Sequence, residues 1–186
     1  GFCMMHAPLF HPAMANVAPI RKGMQVRTFF NMLGPIVNPS NPRNQVLGVF
    51  NLELARLYGY LHQKTTKNYK IVHALDGYDE VSLTSASKIV GNNGEEILEP
   101  SDFGFKKFKQ EELHGGGSIE ESAKIFVNIL ENKGTEAQTS AVLANAGLAI
   151  QTVHPELSLE DALDKAKESL NSGAARNVLK TLQELN

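Results

Sequence analysis

Apolar positions gather into short runs in the middle of the chain and into helical repeats in its last third. Gln45–Phe50 is a short apolar run. Asn51 is placed to cap a helix that counts Leu52, Ala55 and Leu57 among its apolar positions. Tyr69–Leu75 reads as a mostly buried strand closed by Asp76-Gly77, and Val81–Thr84 and Lys88–Val90 read as short strands. Asn92-Asn93-Gly94, between Ile89-Val90 and Ile97-Leu98, predicts a hairpin. Further on, Ser118-Ile119-Glu120-Glu121 has the pattern of a capping box. Ile119, Ala123, Phe126 and Leu130 follow at spacings of 4, 3 and 4, which puts them on one helix face. Thr135–Gln138 is a second box. It opens a helix apolar nearly all round from Ala141 to Ile150, which predicts a central position. Ser158–Asp161 opens a helix with Leu159, Leu163, Ala166 and Leu170, and Ser172-Gly173 precedes another with Ala175, Val178, Leu182 and Leu185. Strands mixed with helices of this length predict an α/β fold, with 1–186 as a single α/β domain.

The first third is punctuated by Pro and Gly. His11-Pro12-Ala13-Met14 reads as a helix start, because Pro is accepted at the first helical position, and Pro19 limits how far that helix runs. Thr28–Leu33 predicts a helical turn stopped by Gly34-Pro35, and Asn38–Pro42 predicts a loop.

Composition narrows the classes. Apolar residues make up 42% of the chain, enough for a core, so global disorder is excluded. Lys and Arg total 18 against 20 Asp and Glu, a net charge of −2, and no Lys/Arg block of about five or more occurs, so nucleic-acid binding is not expected. No stretch approaches the roughly 18 apolar residues of a membrane span, and no membrane partner is expected. The opening Gly-Phe-Cys-Met-Met has no basic segment followed by an apolar run, so no signal peptide is expected, and the sequence reads as beginning inside a larger protein. Cys3 is the only cysteine; it fits a reducing cytoplasm and is expected as a small buried hydrophobe.

Candidate chemistry is sparse. Asp79-Glu80 follows a strand and a Gly-containing turn, with Asp76 three residues earlier. Strand ends are where α/β proteins place ligands, and adjacent carboxylates suit a hard ion such as Mg²⁺. Residue type alone favours a solvated acidic turn. Arg21 could take a carboxylate in a two-pronged hydrogen bond; by itself, Arg21 with His11 reads as a surface arginine and a structural histidine. Gly115-Gly116-Gly117 lacks the features of a phosphate loop and reads as a flexible hinge, and His73 and His114 have no metal-ligand spacing.

Taken together, however, the motifs resemble one family. Ala7-Pro8-Leu9-Phe10-His11-Pro12-Ala13-Met14, Val17–Arg21 and Arg27–Pro39, with its Leu33-Gly34-Pro35-Ile36-Val37-Asn38-Pro39 run, resemble anthranilate phosphoribosyltransferases. The likeness continues through Gln45–Val49, His73–Glu80, Pro100–Gly104, Asn145-Ala146 and Ser172–Ala175. The resemblance implies part of the large α/β domain of the nucleoside phosphorylase/phosphoribosyltransferase-like fold, a central sheet flanked by helices. It implies transfer of phosphoribosyl from phosphoribosyl pyrophosphate to the amine of anthranilate, with loss of pyrophosphate, in tryptophan biosynthesis. Arg21 matches the residue that grips the anthranilate carboxylate; Pro8, His11 and Met14 match the wall of the aromatic acid's approach path; Asp79 and Glu80 match the acidic pair that holds Mg²⁺. No residue is assigned a catalytic proton transfer. The family's glycine-rich pyrophosphate loop and most of its helical domain have no counterpart here, so the resemblance implies a C-terminal portion, inactive alone, of a cytoplasmic homodimer. A pyrimidine nucleoside phosphorylase is the sibling alternative, disfavoured because pyrimidines lack the carboxylate Arg21 would answer. A nucleic-acid-binding relative is disfavoured by charge.

Overall fold

The computed structural model describes residues 30–185 without a break and, ahead of them, residues 2, 3, 5, 7–10, 17, 20 and 23. Among the described residues, the four-residue helices α1 (Ala7–Phe10) and α2 (Phe30–Leu33) stand ahead of the main body. The predicted stop follows α2 as a 3-10 turn, Gly34–Ile36. The helix start at His11-Pro12 lies outside the described residues.

The sheet has four strands in the order β1 (Asn44–Gly48), β2 (Asn68–Ala74), β3 (Ser87–Gly91) and β4 (Gly94–Leu98). β1 and β2 are parallel, with Gly48 opposite Val72, and are joined by α3 (Leu52–His62), the crossover that parallel neighbours require. β2–β3 and β3–β4 are antiparallel, and Gly91 opposite Gly94 closes the predicted hairpin on Asn92-Asn93.

Both faces of the sheet are covered, and so β2 reads as a nearly continuous apolar run. On one face Leu47, Val49, Tyr69, Ile71 and Val90 pack against Leu54, Ala55 and Tyr58 of α3. Asn51 caps α3 as expected, its Oδ1 accepting from Leu54 N at 2.8 Å. The buried stripe of α3 is Leu54, Ala55, Tyr58, Gly59 and His62, while Leu52 and Leu57 face outward. On the other face Val72 and Ile89 meet Ala137, Ala144 and Leu148 of α5 (Glu136–Val153). α5 is central, as its all-round apolar sequence predicts, and its far side packs on α6 (Leu159–Asn171).

α4 (Ile119–Leu130) and α7 (Ala174–Glu184) are peripheral. The predicted apolar face of α4 does not point inward: Ile119 is 84% and Phe126 53% exposed, and Ile129 is the buried position. Ser118 caps α4, but Glu121 reaches back to Gly117 N at 2.7 Å. Thr135 and Gln138 form the reciprocal box of α5 at 3.3 Å each way.

Two further expectations are corrected. Cys3 is exposed, standing ahead of α1 and outside every core cluster. Val81–Thr84 is buried but is not a strand. Leu83 has φ +60, in the left-handed region, which breaks an extended run and costs a non-glycine residue about 1–2 kcal/mol. Its side chain is fully buried in the main core and its carbonyl accepts from Phe108 N at 3.0 Å, contacts that hold it there.

Candidate active site

The parallel strands β1 and β2 end side by side, and the loops leaving them form the site. Val49 N donates to Val72 O at 2.9 Å, and His73, buried, brings Nδ1 within 2.9 Å of Val49 O. The two isolated histidine readings therefore resolve for His73 into a tie between strand ends.

β2 leaves into a tight turn. Ala74 N donates to Tyr78 O and Gly77 N to Ala74 O, both at 2.9 Å, and Gly77 takes φ +107, which a side chain would resist. Asp76 organises this turn. Its carboxylate accepts from the Thr84 hydroxyl, from Ser85 Oγ at 2.9 Å, and from Ser82 Oγ and Gln110 Nε2 at 3.4 Å. Burial pushes the Asp76 carboxyl up, but the donors Thr84, Ser85 and Gln110 outweigh it and leave it below the ordinary aspartate range. Asp76 is thus a turn-building residue with its oxygens engaged, and not a third member of the acidic pair.

Asp79 and Glu80 come next, both exposed. Crowding by the surrounding protein, then repulsion from Asp79, lifts Glu80 above the ordinary glutamate range. Among the described residues neither carboxylate forms an ion pair, and no group of three or more His, Cys, Asp or Glu could hold a metal ion. The pair offers two uncompensated carboxylates open to solvent, a donor set that fits Mg²⁺ only when water or phosphate oxygens complete its shell. Glu80 also borders a cavity of about 350 Å³, whose wall includes Val81, Ser82, His114, Ile125 and Asn145.

Two residues that the sequence reading carried only within the family-like runs Gln45–Val49 and Asn145-Ala146, with no role assigned, hold the loop of the pair in place. Gly48 ends β1 so close to the loop that a β-carbon there would stand 2.0 Å from Asp79 O. Asn145 of α5 accepts from Val81 N at 3.0 Å and donates to Val81 O at 2.8 Å. The available signals for Asn145 were its place as the one polar side chain within the apolar stretch 141–150 of that helix and the family-like Asn145-Ala146 pair. Of the other predicted site residues, His11, Met14 and Arg21 lie outside the described residues, as does the side chain of Pro8, whose backbone lies in α1.

A sheet with paired parallel strand ends, covered by helices and carrying an open acidic pair, defines the class: the chain matches the glycosyl transferase family, a/b domain, over residues 1–176, and belongs to that family. Curated anthranilate phosphoribosyltransferases from Christiangramia forsetii and Flavobacterium psychrophilum are each 58% identical to it over 185 residues, 100% of this chain and 56% of theirs. The Thermus thermophilus anthranilate phosphoribosyltransferase structure superposes with a TM-score of 0.86 at 34% identity, covering 94% of this chain and 53% of that one. The Saccharomyces cerevisiae enzyme in complex with PRPP and Mg gives 0.85 at 28%, covering 94% and 50%. The chain thus spans a little over half the length of the curated relatives it matches. Among the described residues no helix is long and apolar enough to cross a membrane.

Proposed function

We propose that this chain supplies the acceptor-binding and metal-binding portion of an anthranilate phosphoribosyltransferase, which moves phosphoribosyl from phosphoribosyl pyrophosphate to the amine of anthranilate. The observation that carries the reading is the solvent-open Asp79–Glu80 pair at the parallel strand ends, in a chain 58% identical to curated enzymes of that name. Asp79 and Glu80 would each contribute carboxylate oxygen to Mg²⁺ and hold it beside the departing pyrophosphate. Bound Mg²⁺ neutralises charge that builds on that leaving group. Arg21 would fix anthranilate through its carboxylate, with Pro8, His11 and Met14 lining its approach, so that the amine is aimed at carbon 1 of the sugar. No side chain is given a proton-transfer role. The same reading places the enzyme in tryptophan biosynthesis, in the cytoplasm, as a homodimer.

The test is the Asp79→Asn/Glu80→Gln double variant in an enzyme of the relatives' full length. Turnover should fall, and the Mg²⁺ concentration for half-maximal rate should rise. Full turnover with an unchanged Mg²⁺ dependence would return the pair to a solvated acidic turn.

A further inference from the structure

We propose that Asn145 is a positioning residue for the acidic pair: its side-chain amide, carried on the central helix, closes on both backbone polar groups of Val81 and so fixes where Asp79 and Glu80 stand. This rests on the reading of the pair given above.

Val81 directly follows Glu80 and is buried, so its N–H and C=O must find partners inside the protein. No strand supplies them, because residues 81–84 are a loop. Asn145 supplies both. Oδ1 accepts from Val81 N at 3.0 Å, and Nδ2 donates to Val81 O at 2.8 Å. The second Nδ2 hydrogen goes to Ala141 O at 2.9 Å, one turn earlier in α5. This arrangement admits one amide orientation: turned over, NH₂ would face the Val81 N–H, and Oδ1 would face two carbonyls. A carboxylate or an aliphatic side chain could not serve both groups.

The support behind the amide is stiff. Ala144 and Leu148, on either side of Asn145, have no exposed surface. From the opposite side Gly48 blocks retreat of Asp79, and downstream Leu83 is held in the left-handed region. The segment bearing the carboxylates is therefore pinned at Asp79, at Val81 and at Leu83, and only the Val81 pin is made by a side chain that can be replaced without touching the pair. Asparagine is also a poor helix former, so helix formation alone would be better served by another residue at position 145.

The experiment uses an enzyme of the relatives' full length carrying Asn145→Leu, with Asn145→Ala as a second variant. Three quantities are read: the hydrogen-exchange rate of the Val81 amide, the Kd for Mn²⁺ in the presence of pyrophosphate by calorimetry, and the KM for anthranilate. Val81 exchange should accelerate. Mn²⁺ binding should weaken roughly five- to thirtyfold, the factor set by losing one to two net hydrogen bonds. The KM for anthranilate should stay unchanged, because the amide acts only through the pair. A folded variant with faster Val81 exchange and unaltered Mn²⁺ affinity would overturn the proposal, as would equal weakening toward anthranilate. If both variants fail to fold, Asn145 is a fold determinant and the proposal also fails. The Asp79→Asn/Glu80→Gln variant separates the two readings. Wild-type Mn²⁺ binding there removes the role of the pair itself, whereas lost binding there beside intact binding in Asn145→Leu removes only the role of Asn145.

Discussion

The carbonyl oxygen of Asp79 lies against the backbone of Gly48, where a β-carbon would stand 2.0 Å away. β1 can end beside the acidic loop only because residue 48 has no side chain. Gly48→Ala should push the loop off β1 and lower stability by about 1–3 kcal/mol, the range for forced overpacking. Urea unfolding measures this, and an unchanged midpoint would show that the loop yields freely.

Asp76 should matter to stability rather than to metal binding. Asp76→Ala removes the charged acceptor shared by the Thr84, Ser85 and Ser82 hydroxyls, leaving Thr84 and Ser85 their weaker neutral acceptors Ser82 Oγ and Ala86 O, and should cost about 1–2 kcal/mol at neutral pH, the low end of the charge-assisted range given its exposure. The pH dependence has a definite sign. The folded carboxyl titrates below the unfolded one, so its contribution is fully present above the unfolded aspartate range and is lost as pH falls through the folded value. The gap between wild type and Asp76→Asn in urea unfolding should therefore close on acidification below about pH 4. A gap that widened there would contradict the assignment.

Arg21→Ala should raise the KM for anthranilate far more than that for phosphoribosyl pyrophosphate. Loss of a charge-assisted contact is worth about 1.5–3 kcal/mol, or roughly ten- to a hundredfold in affinity. Steady-state kinetics with both substrates varied decides this; equal losses would mark Arg21 as structural.

Gly147 lets α5 and α6 approach closely. A β-carbon there would stand 2.7 Å from Leu163 Cδ2 and 3.3 Å from Leu163 Cα. Gly147→Ala gains about 1 kcal/mol of helix propensity, yet should lose about 1–3 kcal/mol net, because Leu163 is buried and cannot withdraw. Combining it with Leu163→Ala should cost less than the sum of the two, which thermal or urea unfolding of the cycle would show.

Sequence alone determined the elements that local chemistry specifies. Asn51, Ser118, Thr135 and Ser158 each cap the helix they precede, because a side-chain oxygen reaches an amide two or three residues on regardless of tertiary context. The alternating middle marked β2, β3, the hairpin at Asn92-Asn93 and an acidic pair beyond the turn that closes β2. What only the tertiary structure decided depends on partners far away in the chain. Val81–Thr84 has the composition of a strand, but Asn145, 64 residues distant, takes the backbone groups of Val81, and Asp76 takes the hydroxyls of Ser82 and Thr84. The helical repeat of α4 marked an apolar face without fixing its direction, since periodicity records which side chains share a side and not what that side meets. The same holds for the site. Adjacent carboxylates were visible as residues, whereas their separation from Asp76, the approach of Gly48 to the Asp79 backbone and the grip of Asn145 on Val81 exist only where β1, β2 and α5 are brought together.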